Sequence, residues 1–120
     1  MKNFLAVYTG TKDSHAETGW DRLSEAEQAE RRAAGMQAWM EWGKRNADRI
    51  VDGGGPLGTT KLANRQGLSD SKNHLVAYVI VRAQSHAEAA KLFEGHPHFS
   101  IFPGDGVEIM ECLPLPGASG

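Results

Sequence analysis

The feature that most constrains the fold is a nearly continuous apolar run at residues 74–81, which reads HLVAYVIV. It is the strongest strand signal in the chain. A strand that is apolar at consecutive positions usually has both faces covered. We therefore predict that this segment is a central strand of a sheet with packed side chains above and below it.

Further strands are predicted on both sides of this segment. Residues 4–8 form a compact apolar and aromatic run that ends in a turn. Residues 107–113 alternate apolar and charged side chains, as a half-exposed strand does. Short strands are predicted at residues 50–51 and 59–63, and the glycines at 53–55 between them indicate a tight turn or bulge. These glycines lack the lysine and the serine or threonine of a phosphate-binding loop.

Two helices are predicted from matching start signals. Ser24 to Glu27 has the spacing of a capping box, and good helix formers continue to about Ala47. Small and apolar side chains recur along this helix at steps of three and four, which predicts one apolar stripe with the tryptophans beside it. The stripe comprises Ala29, Ala33, Met36, Met40, Gly43 and Ala47. The same capping-box spacing at Ser85 begins a shorter helix that ends near Gly95.

Residues 11–21 and 66–73 are polar and are predicted as loops, so the order of elements is β-α-β-β-α-β. This order predicts an α+β fold with the ferredoxin-like, split βαβ topology. We expect one domain over residues 1–116 and a C-terminal tail at residues 117–120. The consecutive apolar residues on the first and third strands indicate that a second copy covers the open face of the sheet, giving a homodimer.

Composition excludes several classes of function. The 120 residues carry a formal net charge of −2, so no basic field is available to bind a nucleic acid. No run approaches the roughly 20 apolar residues that cross a bilayer, so no membrane association is expected. Cys112 is the only cysteine, which excludes an intrachain disulfide and favours a cytoplasmic location. Its place on an alternating strand predicts a buried, inert thiol.

Three segments carry a resemblance to a known family. They are EGHPHF at residues 94–99, PGDGVEIM at 103–110 and GGGPL at 53–57. On these segments the chain resembles the YCII-related family of the dimeric α+β barrel superfamily. The resemblance implies two ferredoxin-like subunits packed sheet against sheet. Some members are proposed to be enzymes with a histidine on the first long helix, but residues 25–47 contain none here, so that site is not carried over.

His96 and His98, separated by a proline, are the strongest candidates for chemistry because histidine transfers protons near neutral pH. Asp105 is near them in the chain and completes the candidate catalytic set. The alternative is that this segment only ends the helix and satisfies nearby carbonyl groups. A metal ion shared by the two histidines would need a third ligand, for which Asp105 or Glu94 could serve, but this is the least favoured interpretation, and neither a metal nor another cofactor is predicted. The candidate walls of a binding cleft are Trp39, Trp42 and Phe99, although packing in the core or at an interface is the favoured interpretation of the two tryptophans.

The sequence predicts a small-molecule-binding protein or a cofactor-independent enzyme in which a histidine transfers a proton. Its ligand would lie between the sheet and the first helix. The alternative is a non-catalytic, dimeric regulatory or protein-interaction module without a deep cleft. Haem- or oxygen-linked chemistry is suggested only by analogy with other dimeric α+β barrels, and a fold by itself does not determine a function.

Overall fold

A computed structural model describes residues 1–117, so most of the predicted tail at 117–120 lies outside the described residues. A single 3₁₀ turn at Trp20–Arg22 joins the first two helices. The elements in chain order are β1 (Lys2–Thr9), α1 (Lys12–Thr18), α2 (Glu25–Arg45), β2 (Ile50–Pro56), β3 (Thr60–Asn64), β4 (Gly67–Ser71), β5 (Leu75–Ala83), α3 (His86–Lys91), α4 (Pro97–Ser100) and β6 (Gly106–Glu111).

Four strands form one antiparallel sheet in the order β2-β5-β1-β6. The predicted strand at residues 74–81 is β5, which lies inside the sheet between β2 and β1. The α+β architecture is therefore as predicted, and the order of strands is consistent with the ferredoxin-like topology. Strands β3 and β4 form a separate two-stranded hairpin.

One face of the sheet carries the helices and the core. Phe4, Ala6 and Tyr8 alternate along β1 and face the helices together with Val79 and Val81 on β5, because successive side chains of a strand point to opposite faces. The helices and the segment after α3 add further buried side chains. These are Trp42, Ala89 and Phe93.

The start of α2 is as predicted. The Ser24 hydroxyl accepts a hydrogen bond from the Glu27 backbone N–H at 3.1 Å, and the Ser24 N–H donates to the Glu27 carboxylate at 2.9 Å. The predicted apolar stripe is wrong, since Met36 and Met40 are each 56% exposed. The helix instead turns Trp42 towards the sheet, because a tryptophan buries far more apolar area than an alanine or glycine of the stripe.

Three segments differ from the predicted order of elements. Residues 12–18 form α1, and residues 67–71 form β4, where loops were expected. Every residue of β4 except its last is exposed, so no alternating apolar pattern marks it as a strand. Helix α4 begins directly after His96, within a predicted loop. Cys112 is exposed instead of buried, because β6 ends one residue before it.

The three consecutive glycines form part of β2. Gly54 has φ +62° and its N–H donates to the Asp52 carboxylate at 2.9 Å. A β-carbon at Gly54 would collide with the Tyr78 backbone, whose carbonyl carbon would be 2.7 Å away. The pairing of β2 with β5 shifts register between Asp52 and Gly55. This segment is therefore a bulge that packs against β5. A bulge is one of the two forms, tight turn or bulge, that the sequence predicted for these glycines.

Candidate functional site

A large cleft lies between α2 and the part of the sheet formed by β2 and β5. It has a volume of about 1530 Å³ and opens to solvent. Helix α2 contributes most of one wall, and Ala77 and Val79 of β5 contribute to the other. The side chains from α2 are Met36, Trp39, Met40 and Trp42. A mostly apolar, concave surface of this kind is the usual form of a small-molecule site.

His98 of α4 is one of the residues that line this cleft. Its Nε2 is 2.7 Å from the backbone oxygen of Thr9, so Nε2–H donates to this carbonyl group. Nδ1 has no hydrogen-bond partner among residues 1–117. In the neutral ring Nδ1 therefore carries an unshared lone pair, which is the arrangement that a general base needs.

Gly104 keeps the His98 ring close to the backbone. A β-carbon at Gly104 would lie 2.5 Å from the backbone oxygen of His98 and would also collide with its imidazole ring. The Gly104 N–H donates to that same oxygen at 3.0 Å. A larger residue at this position would therefore displace the imidazole from its carbonyl partner on β1.

His96 is 1% exposed and does not line the cleft. Its Nδ1 accepts a hydrogen bond from the His98 backbone N–H at 3.0 Å, so the side chain caps α4. Its Nε2 lies 3.3 Å from the Tyr8 hydroxyl oxygen. Burial, with a smaller contribution from the neighbouring His98, lowers the pKa of His96 to about 4. His96 is therefore neutral near pH 7.

Aromatic rings surround His96 on several sides. The ring of Trp39 lies 4.6 Å away and that of Trp42 lies 4.8 Å away, both in edge-to-face arrangements. Tyr8 is 5.0 Å away and Phe93 is 5.9 Å away between ring centroids. His96 thus supports the floor of the cleft from behind, while His98 faces the cleft.

The other two predicted site residues lie elsewhere. Phe99 and Asp105 line a second, smaller depression of about 370 Å³ together with Phe93 and Val107. The Asp105 carboxylate accepts a hydrogen bond from the Thr11 hydroxyl at 3.4 Å. The structure therefore brings Trp39, Trp42 and His98 together at the cleft, with His96 behind them, and does not bring Phe99 or Asp105 to it.

Sequence reasoning did not select Tyr8, whose ring lines the cleft although it is 1% exposed. The signal that could have found it is strand parity, because Tyr8 shares the helix-facing side of β1 with Phe4 and Ala6. A second omission is the pair formed by His15 Nδ1 and Asp21 Oδ1, 3.2 Å apart and exposed at the cleft. No signal was available there because α1 was not predicted.

Within residues 1–117, no cluster of three or more histidine, cysteine, aspartate or glutamate side chains is arranged to hold a metal ion. No helix in the same part of the chain combines the length and apolar character needed to cross a membrane.

Comparisons with known proteins inform the fold. No family model matches this chain, and no curated protein matches its sequence. Among solved structures, the chain is similar to 5-chloro-2-hydroxyhydroquinone dehydrochlorinase (TftG) from Burkholderia phenoliruptrix AC1100, in complex with 2,5-dihydroxybenzoquinone. The TM-score is 0.52 and the identity is 16%, with 90% of each chain covered. At this identity the similarity establishes a shared fold, and the function has to be argued from the side chains of this chain.

Proposed function

We propose that this protein binds a small, largely apolar molecule in the cleft and that His98 transfers a proton to or from it. The observation that carries the proposal is the free Nδ1 of His98, a residue that lines a cleft of about 1530 Å³. The Thr9 carbonyl group holds the ring by its other nitrogen. No cofactor enters this proposal, because a neutral imidazole can accept a proton and the imidazolium ion can return it.

The chemistry that this arrangement supports is enolisation of a carbonyl compound. The C–H bond next to the carbonyl group breaks, and its proton moves to Nδ1 of His98. The electron pair forms a carbon–carbon double bond, and the carbonyl π electrons move to the oxygen, which gives an enolate and an imidazolium ion. Return of the proton to carbon or oxygen regenerates the neutral histidine. Isomerases, lyases and some hydrolases use steps of this class.

The test of His98 uses benzoylacetone, whose methylene protons exchange measurably with D₂O. The wild-type protein is expected to accelerate this exchange, followed by proton NMR, by about 10²-fold or more over buffer, which is typical of a positioned general base. His98→Gln can still donate to the Thr9 carbonyl group but lacks a basic nitrogen. This variant is expected to reduce exchange to the rate in buffer while it retains affinity for the diketone.

Gly43 provides the matched control for the cleft. It lies on α2 at the cleft, and a β-carbon there would meet nothing within 4 Å. Gly43→Phe is expected to fill the space without a backbone collision and to abolish both binding and exchange. Exchange that persists in His98→Gln would remove His98 from the chemistry. Binding that persists in Gly43→Phe would show that the cleft is not the site.

We also propose that the chain is a YCII-related protein of the dimeric α+β barrel superfamily, with one domain over residues 1–116. The shared fold with the dehydrochlorinase and the segments at 94–99 and 103–110 support this assignment. In this proposal the homodimer forms through the face of the sheet opposite the helices. A cytoplasmic location stays a prediction from the sequence.

The face of the sheet opposite the helices is apolar near its centre. Leu5 and Val7 alternate with the core residues of β1 and pair across the sheet with Ile80 and Tyr78. Met110 of β6 pairs with Leu5 on its other side and is 43% exposed. A contiguous apolar patch of this kind is covered in most proteins, and a second copy related by a two-fold axis covers it with the same residues.

Ile80→Lys tests this interface. A lysine from each copy would be desolvated in the middle of the patch, where only Asp52, the cross-strand neighbour of Ile80 on β2, could partly offset the cost, so the variant is expected to be monomeric by multi-angle light scattering while the wild-type protein is dimeric. Leu68→Lys is the control because Leu68, on the β3–β4 hairpin, is 82% exposed and its replacement should leave the mass unchanged. A monomeric wild-type protein, or a dimeric Ile80→Lys variant, would contradict this interface.

A further inference from the structure

We propose that Tyr8 offers its hydroxyl proton to the cleft as a hydrogen-bond donor, and that His96 is the positioning residue that leaves this proton free. The inference rests on the proposed function and deepens it by naming the class of ligand. That ligand is a small planar molecule with a carbonyl oxygen, which accepts the proton of Tyr8 while its flat face lies along the cleft wall.

The protonation of His96 follows from its two contacts. Nδ1 accepts the His98 backbone N–H at 3.0 Å, so Nδ1 cannot itself carry a hydrogen. A neutral imidazole has one N–H group, and in His96 it is therefore on Nε2. Nε2 lies 3.3 Å from the Tyr8 hydroxyl oxygen, so the imidazole donates and the tyrosine oxygen accepts.

The groups around His96 keep this arrangement unchanged at neutral pH. The titratable side chains that face it are Tyr8 from β1 and His98 from α4, and its other close ring neighbours are uncharged aromatic side chains. Burial raises the pKa of the Tyr8 hydroxyl above its ordinary value, so Tyr8 stays protonated. Burial likewise keeps His96 neutral, since its pKa is lowered to about 4.

The Tyr8 proton has no acceptor among residues 1–117, because the only hydrogen bond of this hydroxyl group is the one that its oxygen accepts. Tyr8 lines the cleft, and its ring packs 4.9 Å from Trp39 and 5.2 Å from His98. A donor buried without an acceptor is costly, so an acceptor placed in the cleft gains a favourable hydrogen bond.

The ligand class follows from these neighbours. A carbonyl oxygen accepts the Tyr8 proton without requiring a donor of its own. The indole of Trp39, at the same wall, offers a flat apolar face on which a planar group can pack. His98 packs beside both rings, 5.2 Å from Tyr8 and 6.0 Å from Trp39 between ring centroids, so it lies near the atoms next to the carbonyl group, where the proposed proton transfer takes place.

The protonation of His96 can be measured on the free wild-type protein. Long-range proton–nitrogen NMR spectra distinguish Nε2–H, Nδ1–H and doubly protonated imidazoles. We expect His96 to show the Nε2–H form at pH 7 and to keep it as the pH falls towards 5. An Nδ1–H form or a charged ring at pH 7 would overturn the inference. Because no ligand is present in this measurement, that result would leave the proposed function untouched.

The donor itself is tested with two probes, 4-hydroxyacetophenone and 4-ethylphenol, which share a phenol ring and differ by a carbonyl oxygen. The readout is the ratio of their two Kd values, measured by tryptophan fluorescence. Tyr8→Phe keeps the ring but removes the donor, and is expected to shift this ratio by about tenfold against the ketone. An unchanged ratio would overturn the donor role while the proposed binding site stands.

His96→Asn tests the positioning role. An asparagine oxygen can still cap α4, but the N–H group that the Tyr8 oxygen accepts is lost. We expect the ratio of Kd values to move towards that of Tyr8→Phe while the affinity for 4-ethylphenol is retained. A wild-type ratio in this variant would remove His96 from the proposal. Failure of both probes to bind the wild-type protein would overturn the proposed function and this inference together.

Discussion

Replacing Trp42 by alanine is expected to lower the free energy of unfolding by about 3–5 kcal/mol, the range for removing a large aromatic side chain from a core. Trp42 is 4% exposed and belongs to the same buried cluster as Phe4 and Phe93. Its indole N–H donates to the Leu92 backbone oxygen at 2.7 Å, so the variant also leaves that carbonyl group unpaired. Urea unfolding followed by circular dichroism measures the loss.

Trp39 is the matched control, because it lies one helical turn earlier on α2 and is only half-buried. Trp39→Ala is expected to cost about 1–2 kcal/mol of stability, less than Trp42→Ala costs, and to weaken ligand binding in the cleft. The opposite ranking would show that Trp39, and not Trp42, makes the larger structural contribution. Equal losses would contradict the division of roles between the two tryptophans.

Acidification is expected to destabilise the protein through His96. The pKa of His96 is lowered from its ordinary value of 6.5 to about 4 in the folded protein. Between these two values the unfolded chain binds a proton at this residue and the folded chain does not, so stability falls as the pH falls. The contribution of the neutral His96 to the free energy of unfolding is fully present above pH 6.5. It is completely lost below about pH 4, where His96 is protonated in both the folded and the unfolded protein.

The size of this effect follows from the shift. Each pKa unit corresponds to about 1.4 kcal/mol, so we expect a total loss of about 3.5 kcal/mol, of which about 2 kcal/mol appears between pH 7.5 and pH 5. Measurements that stop near pH 5 avoid most of the carboxylate titrations. Glu27 is one such group, since the Ser24 backbone N–H lowers the pKa of its carboxyl group.

His96→Asn isolates the contribution of this residue. The variant keeps a cap for α4 but has no titrating group at position 96. For each protein, the loss at lower pH is measured relative to its own free energy of unfolding at pH 7.5. A packing defect of the variant that does not depend on pH therefore cancels. We expect the loss of free energy of unfolding between pH 7.5 and pH 5 to be smaller by about 2 kcal/mol than in the wild-type protein. Parallel curves for the two proteins would rule out a buried, neutral His96.

Local patterns were sufficient for the elements that have a strong signal of their own. The capping box at Ser24, the apolar run at 74–81 and the alternation at 107–113 each correspond to an observed element. The hairpin of β3 and β4 was incompletely predicted because it is almost entirely exposed, so burial imposes no pattern on its sequence. The spacing of small and apolar residues also predicted the wrong buried face of α2. That helix packs on the sheet through Trp42 instead.

The sequence by itself determined the α+β class, the order of the main elements and the candidacy of the two histidines. Only the tertiary structure decided that His98 faces the cleft and that His96 is buried behind it, although the two residues are separated by one proline. The same is true of Tyr8, which is 88 positions from His96 in the chain yet lies 3.3 Å away. Contacts between distant segments depend on how the sheet and helices pack, and the spacing of residues along the chain does not encode them.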